Sequence, residues 1–158
     1  MNAMLPQTSP LAVVLIEPRI PQNTGNIARL CVCAGVELFL VGELGFRLSD
    51  KFLERAGMDY LEHLHIQHRP SFTALLEEKP GWTAVYTSSK ATRSHTQVTY
   101  PPNTLLVFGR EDKGLPESFV KANPDTTVRI PMAPQGRSLN LSNSVAIVLY
   151  EALRQLSL

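Results

Sequence analysis

The sequence predicts an α/β fold, a mostly parallel sheet flanked by helices, on three observations. Leu11–Ile16 is a short run with no polar residue, the pattern of a strand buried on both faces as parallel sheets require. A helical stripe follows it at once, and strand-like and helix-like segments then alternate along the chain. The last segment, from Leu141 on, repeats apolar residues at helical spacing.

The elements follow in order. Asn23 or Thr24 is placed to cap the first helix, whose stripe is Ile27, Leu30, Cys31 and Ala34, and Gly35 stands where a C′ glycine belongs. Residues 36–41 read as the second strand, 50–56 and 71–78 as short helices, and 63–68 as a strand between them. Residues 82–87, 104–108 and 126–130 are β-rich runs, the last ending at Pro131. In the final helix Val145, Val148, Leu149, Ala152 and Leu156 share one face. Ile147 and Tyr150 lie off it, giving more apolar surface than one core contact uses and implying a second partner such as another subunit.

With 158 residues, 44% of them hydrophobic and 18% charged, the chain is long enough to bury one core without disulfide or metal. Residues 1–10 are expected to be a disordered leader and 11–158 a single domain. The leader lacks the basic start and apolar run of a secretory signal, and no stretch is apolar for the length of a bilayer, so no membrane association and a cytoplasmic location are expected. Cys31 and Cys33 lie too close for an easy disulfide and are expected to be reduced thiols in or near the core. A net charge of +1 makes no case for nucleic-acid binding, so any RNA surface has to be a local patch.

Ligands of parallel sheets bind beyond the carboxyl ends of the strands. That directs attention to the loops 18–25, 88–95, 109–116 and 131–140. Several familiar motifs fail there. Gly109 to Gly114 has the glycine spacing of a phosphate loop, but Leu115 and Pro116 replace its Lys and Ser or Thr. The glycines of a dinucleotide fingerprint are missing after the first strand. His63, His65 and His68 have no nearby cysteine to complete a zinc set, so no metal is expected, and Ser138 lacks the surroundings of a hydrolase nucleophile.

Three segments remain: Pro21-Gln-Asn-Thr-Gly-Asn-Ile-Ala-Arg29, Phe108-Gly-Arg-Glu-Asp-Lys-Gly-Leu-Pro116, and Ile130-Pro-Met followed by Gly136-Arg-Ser-Leu-Asn-Leu-Ser-Asn143. In that order they resemble the three motifs of the SPOUT methyltransferases, over nearly everything from Leu11 to Leu156. The spacing, the short chain and the Tyr150-Glu-Ala tail are similar to the TrmL (YibK) branch, which modifies the ribose of the wobble nucleotide of tRNA. Arg110 departs from that branch, whose members often carry Pro there.

The resemblance implies an α/β fold whose C-terminal segment forms a trefoil knot, and a homodimer. It implies transfer of a methyl group from S-adenosylmethionine, leaving S-adenosylhomocysteine, to the 2′-hydroxyl of the wobble cytidine or carboxymethylaminomethyluridine. The alternatives are ribose methylation elsewhere in tRNA or rRNA, or an RNA-binding module without catalysis. By the same resemblance Tyr86, Gly109, Ile130, Ser138 and Leu139 line the cofactor pocket, with Thr87, Glu111 and Met132 flanking it. Arg29, Ser138 and Asn140 are the catalytic candidates. Glycine at 109 suits a close approach of ligand to backbone, though a plain strand-end turn would use it too.

Arg29 lies opposite the apolar stripe of its helix and so is open to a ligand or a second subunit. A guanidinium is a poor base near neutral pH, which favours a positioning role in which it holds a substrate phosphate. Ser138 and Asn140 suit helix capping as well as ribose orientation. Arg19, Arg47, Lys51, Arg55, Lys90, Arg93, Arg110 and Lys113 are the expected RNA contacts, although charged surface is also the ordinary case.

Overall fold

The structure, a computed structural model, describes residues 9–49 and 66–157. The predicted helix at 50–56, the first part of the predicted strand at 63–68, and Lys51 and Arg55 lie outside them. The elements are β1 (Leu11–Ile16), α1 (Pro21–Ala34), β2 (Glu37–Val41), β3 (Ile66–Arg69), α2 (Phe72–Glu78), β4 (Thr83–Thr87), β5 (Arg93–Ser94), β6 (Thr104–Phe108), α3 (Glu117–Ala122), β7 (Thr127–Arg129) and α4 (Leu141–Gln155). The strands make one sheet in the order β3-β2-β1-β6-β4-β7-β5, with every pairing parallel. The chain winds outward from β1 on one side and returns with β6 inserted between β1 and β4, so the strand order reverses at the β1/β6 junction.

The all-apolar composition of β1 has a simple cause. Successive side chains point to opposite faces, and both faces are covered. Leu11, Val13 and Leu15 join the cluster beneath α1 and α4, with Ile27, Cys31, Val145, Val148, Leu149 and Ala152. Ala12, Val14 and Ile16 face the other way, toward Leu75, Phe72 and Phe119 of α2 and α3. β6 divides likewise, with Leu106 and Phe108 on one side and Leu105 and Val107 on the other.

Three local expectations are corrected. Helix α1 begins at Pro21 after Ile20, with no side-chain cap, so Asn23 and Thr24 lie in its first turn and are buried. Proline suits this position because its fixed φ is helical and its missing N–H would have had no partner. Gly35 does close the helix, at φ 67°, its N–H bonding back to the last turn. Cys33 is exposed, whereas Cys31 is buried and its thiol pKa is pushed up by desolvation. β7 is three residues long, shorter than the predicted 126–130, because a 3₁₀ turn (Pro124–Thr126) occupies its start.

In α4, Val145, Val148, Leu149 and Ala152 are fully buried, while Ile147 and Tyr150 stay 38% and 50% exposed. Its far end is tied to the connection before β6: Gln155 Nε2 donates to the Val98 carbonyl (2.9 Å) and Gln155 Oε1 accepts from Tyr100 N–H (3.0 Å). After β7 the chain thus crosses the strand ends and returns to the middle of the sheet. No helix among the described residues is long and apolar enough to cross a membrane.

Candidate active site

All four loops singled out in the sequence meet at one cavity of about 530 Å³ beyond the carboxyl ends of β1, β6, β4 and β7. Ile20 comes from the β1–α1 turn, Asn23 from the first turn of α1, and Thr87 to Lys90 from the end of β4. Phe108 to Leu115 come from β6 and its loop, and Ile130, Met132 and Arg137 to Leu141 from the segment after β7. The location follows from the topology: where strand order reverses, adjacent loops turn apart and leave a crevice.

The loop after β6 is the most tightly built part of the wall. Arg110 N–H donates to the Gly114 carbonyl (3.2 Å) and Gly114 N–H to the Arg110 carbonyl (2.8 Å). The Arg110 guanidinium also forks onto Asp112 (2.9 and 2.8 Å), which holds the Asp112 pKa down and the Arg110 pKa up. Glu111 points elsewhere, and its two oxygens accept the backbone N–H groups of Arg19 (2.8 Å) and Ile20 (3.0 Å). One carboxylate thus fastens the β6 loop to the β1–α1 turn and satisfies two amides just before α1.

Gly109 is in this wall, but its need for glycine has a different source from the one expected. A Cβ there would lie 2.1 Å from the Gly114 carbonyl carbon and from the Leu115 nitrogen. The close approach is between the loop's own two limbs. Gly109 is what allows the loop to fold back on itself.

Asn140 both caps and bridges. Its side-chain oxygen accepts Ser142 N–H (2.9 Å) at the start of α4, and its amide nitrogen donates to Asn23 Oδ1 (3.1 Å). Ser138 is exposed on the wall beside it. Thr87, another wall residue, keeps a buried hydroxyl with no hydrogen-bond partner among the described residues.

The cavity therefore gathers Thr87, Gly109, Glu111, Ile130, Met132, Ser138, Leu139 and Asn140. It leaves out two of the expected residues. The Tyr86 ring packs edge-on against Phe72 (6.1 Å between centroids) and Phe119 (5.9 Å), on the side of the sheet away from α1 and α4, and burial raises its pKa. Strand alternation sends its ring there and leaves the cavity to Thr87. Arg29 is exposed on α1, outside this wall.

Of the expected RNA contacts, Lys90, Arg110 and Lys113 are in the wall, whereas Arg93 reaches Asp125 (3.5 Å). Ile20, Asn23 and Arg137 were not anticipated as site residues. Their signal was present, since Ile20 and Arg137 lie in the loops after β1 and β7 and Asn23 in the first turn of the helix that ends the former. Among the described residues no three His, Cys, Asp or Glu side chains come together to hold a metal.

Such a space suits a ligand of nucleoside size, with Phe108, Leu115, Ile130, Leu139 and Leu141 offering apolar surface and the loops offering polar groups. Residues 10–150 match the model of the SpoU rRNA methylase family. A tRNA (cytidine(34)-2′-O)-methyltransferase of Escherichia coli K12 is 44% identical over 147 residues, covering 92% of this chain and 94% of its own. A solved structure describing the 2-OH methylation of C/U34 on tRNA superposes with a TM-score of 0.87 at 41% identity, covering 93% of this chain and 96% of the other. The SpoU methyltransferase AviRb of Streptomyces viridochromogenes, in complex with AdoMet, gives a TM-score of 0.81 at 28% identity, over 92% of this chain and 60% of its own. With the all-parallel sheet and three motifs around one cavity, these matches place the chain in the SpoU methylase family, with the SPOUT fold.

Proposed function

We propose that this chain transfers a methyl group from S-adenosylmethionine to the ribose 2′-hydroxyl of nucleotide 34, the wobble position, in tRNA. The observation that carries the reading is the convergence of the three motif segments, 100 residues and more apart at their extremes, on one cavity in a chain so similar to wobble-position methyltransferases. The cavity suits the donor: its volume is that of a small-molecule site, and apolar side chains line part of it beside the polar groups of the loops. S-adenosylmethionine, when bound, supplies the electrophilic methyl group.

The chain's own part is placement. Glu111 fixes the β1–α1 turn against the β6 loop, and Asn140, through Asn23, fixes the start of α4 against α1. Walls held in this way gain rate by orienting the ribose oxygen and excluding water. Ser138, exposed on the wall, orients the ribose by hydrogen bonding. Gly109, Ile130, Met132 and Leu139 form the donor's surroundings.

Arg29, exposed on α1, holds substrate phosphate as a positioning residue and works at the cavity of a second copy. A homodimer also covers Ile147 and Tyr150, the apolar side chains that α4 leaves in solvent. Such an enzyme meets its tRNA in the cytoplasm.

Incubation with labelled S-adenosylmethionine and bulk tRNA, followed by mapping of ribose methylation, tests the proposal. Label at nucleotide 34 is the expected result. Label confined to other tRNA positions, or binding of the donor without transfer, overturns it.

A further inference from the structure

The charges around the cavity do not cancel once their partners are traced. The wall contains the carboxylates Glu111, Asp112 and Glu117 and the cations Lys90, Arg110, Lys113 and Arg137. Every carboxylate is engaged. Glu111 accepts two backbone amides, Asp112 holds Arg110 in a two-point pair, and Glu117 meets Lys121, which lies outside the wall, at 3.4 Å.

Lys90, Lys113 and Arg137 remain, each exposed and with no ion pair among the described residues. They stand on three different loops, after β4, β6 and β7. Glu111 keeps its negative charge on two neutral amides, so with Lys121 counted beside Glu117 the opening holds five cations against three carboxylates, a local excess of two positive charges in a chain of net charge +1. Unpaired cations converging from separate elements are kept apart by their own repulsion, and an anion between them relieves it.

We infer that Lys90, Lys113 and Arg137 form a phosphate-binding rim that takes the sugar-phosphate backbone of RNA beside the target nucleotide. The inference rests on the reading of the cavity as an RNA ribose methylation site and names the residues that seat the substrate there. It separates the basic residues of the chain by use: Arg110 and Arg93 are turned to carboxylates of their own protein, and the rim is left for phosphate. Arg137 suits two-point phosphate contact, and the lysines act as point charges.

The same three cations could instead serve the carboxylate of the methyl donor, and the test distinguishes the two anions. The triple variant Lys90→Gln, Lys113→Gln, Arg137→Gln and its charge-keeping counterpart Lys90→Arg, Lys113→Arg, Arg137→Lys are compared with the unaltered protein. Donor affinity is read by calorimetry, and methyl transfer to tRNA is followed across a salt series. In the neutral variant KM for tRNA is expected to rise at least tenfold, more than kcat falls. Log KM should depend on log salt less steeply by about 2, since each phosphate contact to single-stranded nucleic acid contributes about 0.7 to the slope. Donor affinity should stay within a factor of two, and the charge-keeping variant should recover most of the salt dependence.

Loss of donor affinity with an unaltered salt slope assigns the cations to the donor and overturns the inference. An unchanged KM and slope overturn it as well. If the unaltered protein fails to methylate tRNA at all, the functional reading itself falls, an outcome distinct from either.

Discussion

The two sides of the cavity are built by different means. On the side of β1 and β6, backbone holds backbone: Gly109 packs on Gly114 and Leu115, Arg110 and Gly114 exchange two hydrogen bonds, and Glu111 binds two amides across the gap. On the other side, residues 133–140 are exposed, and this segment is held by a turn from Gly136 N–H to the Ala133 carbonyl and by Asn140 at its end. A wall fixed by main chain keeps its shape with or without ligand. An exposed segment anchored at its ends can adjust to one. The cavity thus joins a preformed cradle to a cover that contributes Ser138 and Leu139.

Gly109→Ala should break the cradle outright. The added methyl meets backbone atoms at 2.1 Å, which no rotamer change relieves, so the two limbs of the loop must separate. The expected cost is about 3 kcal/mol or more, which for a chain of this size lowers Tm by roughly 10 °C. Donor binding should be lost in calorimetry even where the protein remains folded. Near-normal binding by this variant would show that the cradle is not rigid.

Glu111→Gln is a milder attack on the same side. The amide can accept one of the two N–H groups but presents a donor to the other. About 2 kcal/mol of stability should be lost, with at least a tenfold fall in donor affinity. Thermal denaturation and titration measure the two effects. Equal losses in a Glu111→Ala variant would show that the one contact glutamine keeps contributes nothing on its own.

How far the sequence exposed this architecture differs along the same division. β1 and β6 could be read to the residue because burial on both faces makes β1 wholly apolar and β6 apolar after its first residue, the β-branched Thr104, and α4 because its stripe runs for four turns. The short strands were hard to see for the opposite reason: β5 has two residues and β7 three, too few for periodicity to speak. The loops were found, because they follow strands, but not their inner logic. Glu111 meets Arg19 across 92 residues and Asn140 meets Asn23 across 117, pairings that no local pattern encodes. Asn23 and Thr24 suggest a cap because such residues before an apolar stripe usually supply one, but Pro21 starts the helix ahead of both. Tyr86 was expected at the cavity by resemblance, although the alternation of β4 sends its ring to the opposite face from Val85.

Asn140 links the cover to α1, and its two bonds can be separated. Asn140→Ala removes both the cap and the bridge to Asn23, whereas Asn140→Ser keeps a good capping oxygen but is too short for the bridge. The alanine variant should be less stable than the serine variant by about 1 kcal/mol. Both should lose methyl transfer to a similar extent, at least tenfold, because the bridge is gone in each. Activity that followed stability instead, with serine close to the natural enzyme, would reduce Asn140 to a cap.

The smallest effect concerns the end of α4 remote from the cavity, where the helix is anchored so that its start can serve the cover. Arg154 forks onto Glu151 (2.9 and 2.8 Å), and Gln155 donates to it as well (3.1 Å), while Gln155 itself holds Val98 and Tyr100. The Arg154 contact first, then that of Gln155, lowers the Glu151 pKa to about 2. A carboxyl whose pKa falls on folding stabilises the native state at pH above its unfolded value, near 4.3, and loses that contribution as pH drops toward the folded value. Stability should therefore decline between about pH 4.5 and 2, in part through this residue, and Glu151→Gln should lower stability at pH 7, modestly because Arg154 is largely in solvent, and make the acid decline shallower. Denaturant unfolding of both proteins across that range gives the comparison. Parallel pH profiles would mean that Gln155, through its contacts with Val98 and Tyr100, anchors the helix without help from Glu151.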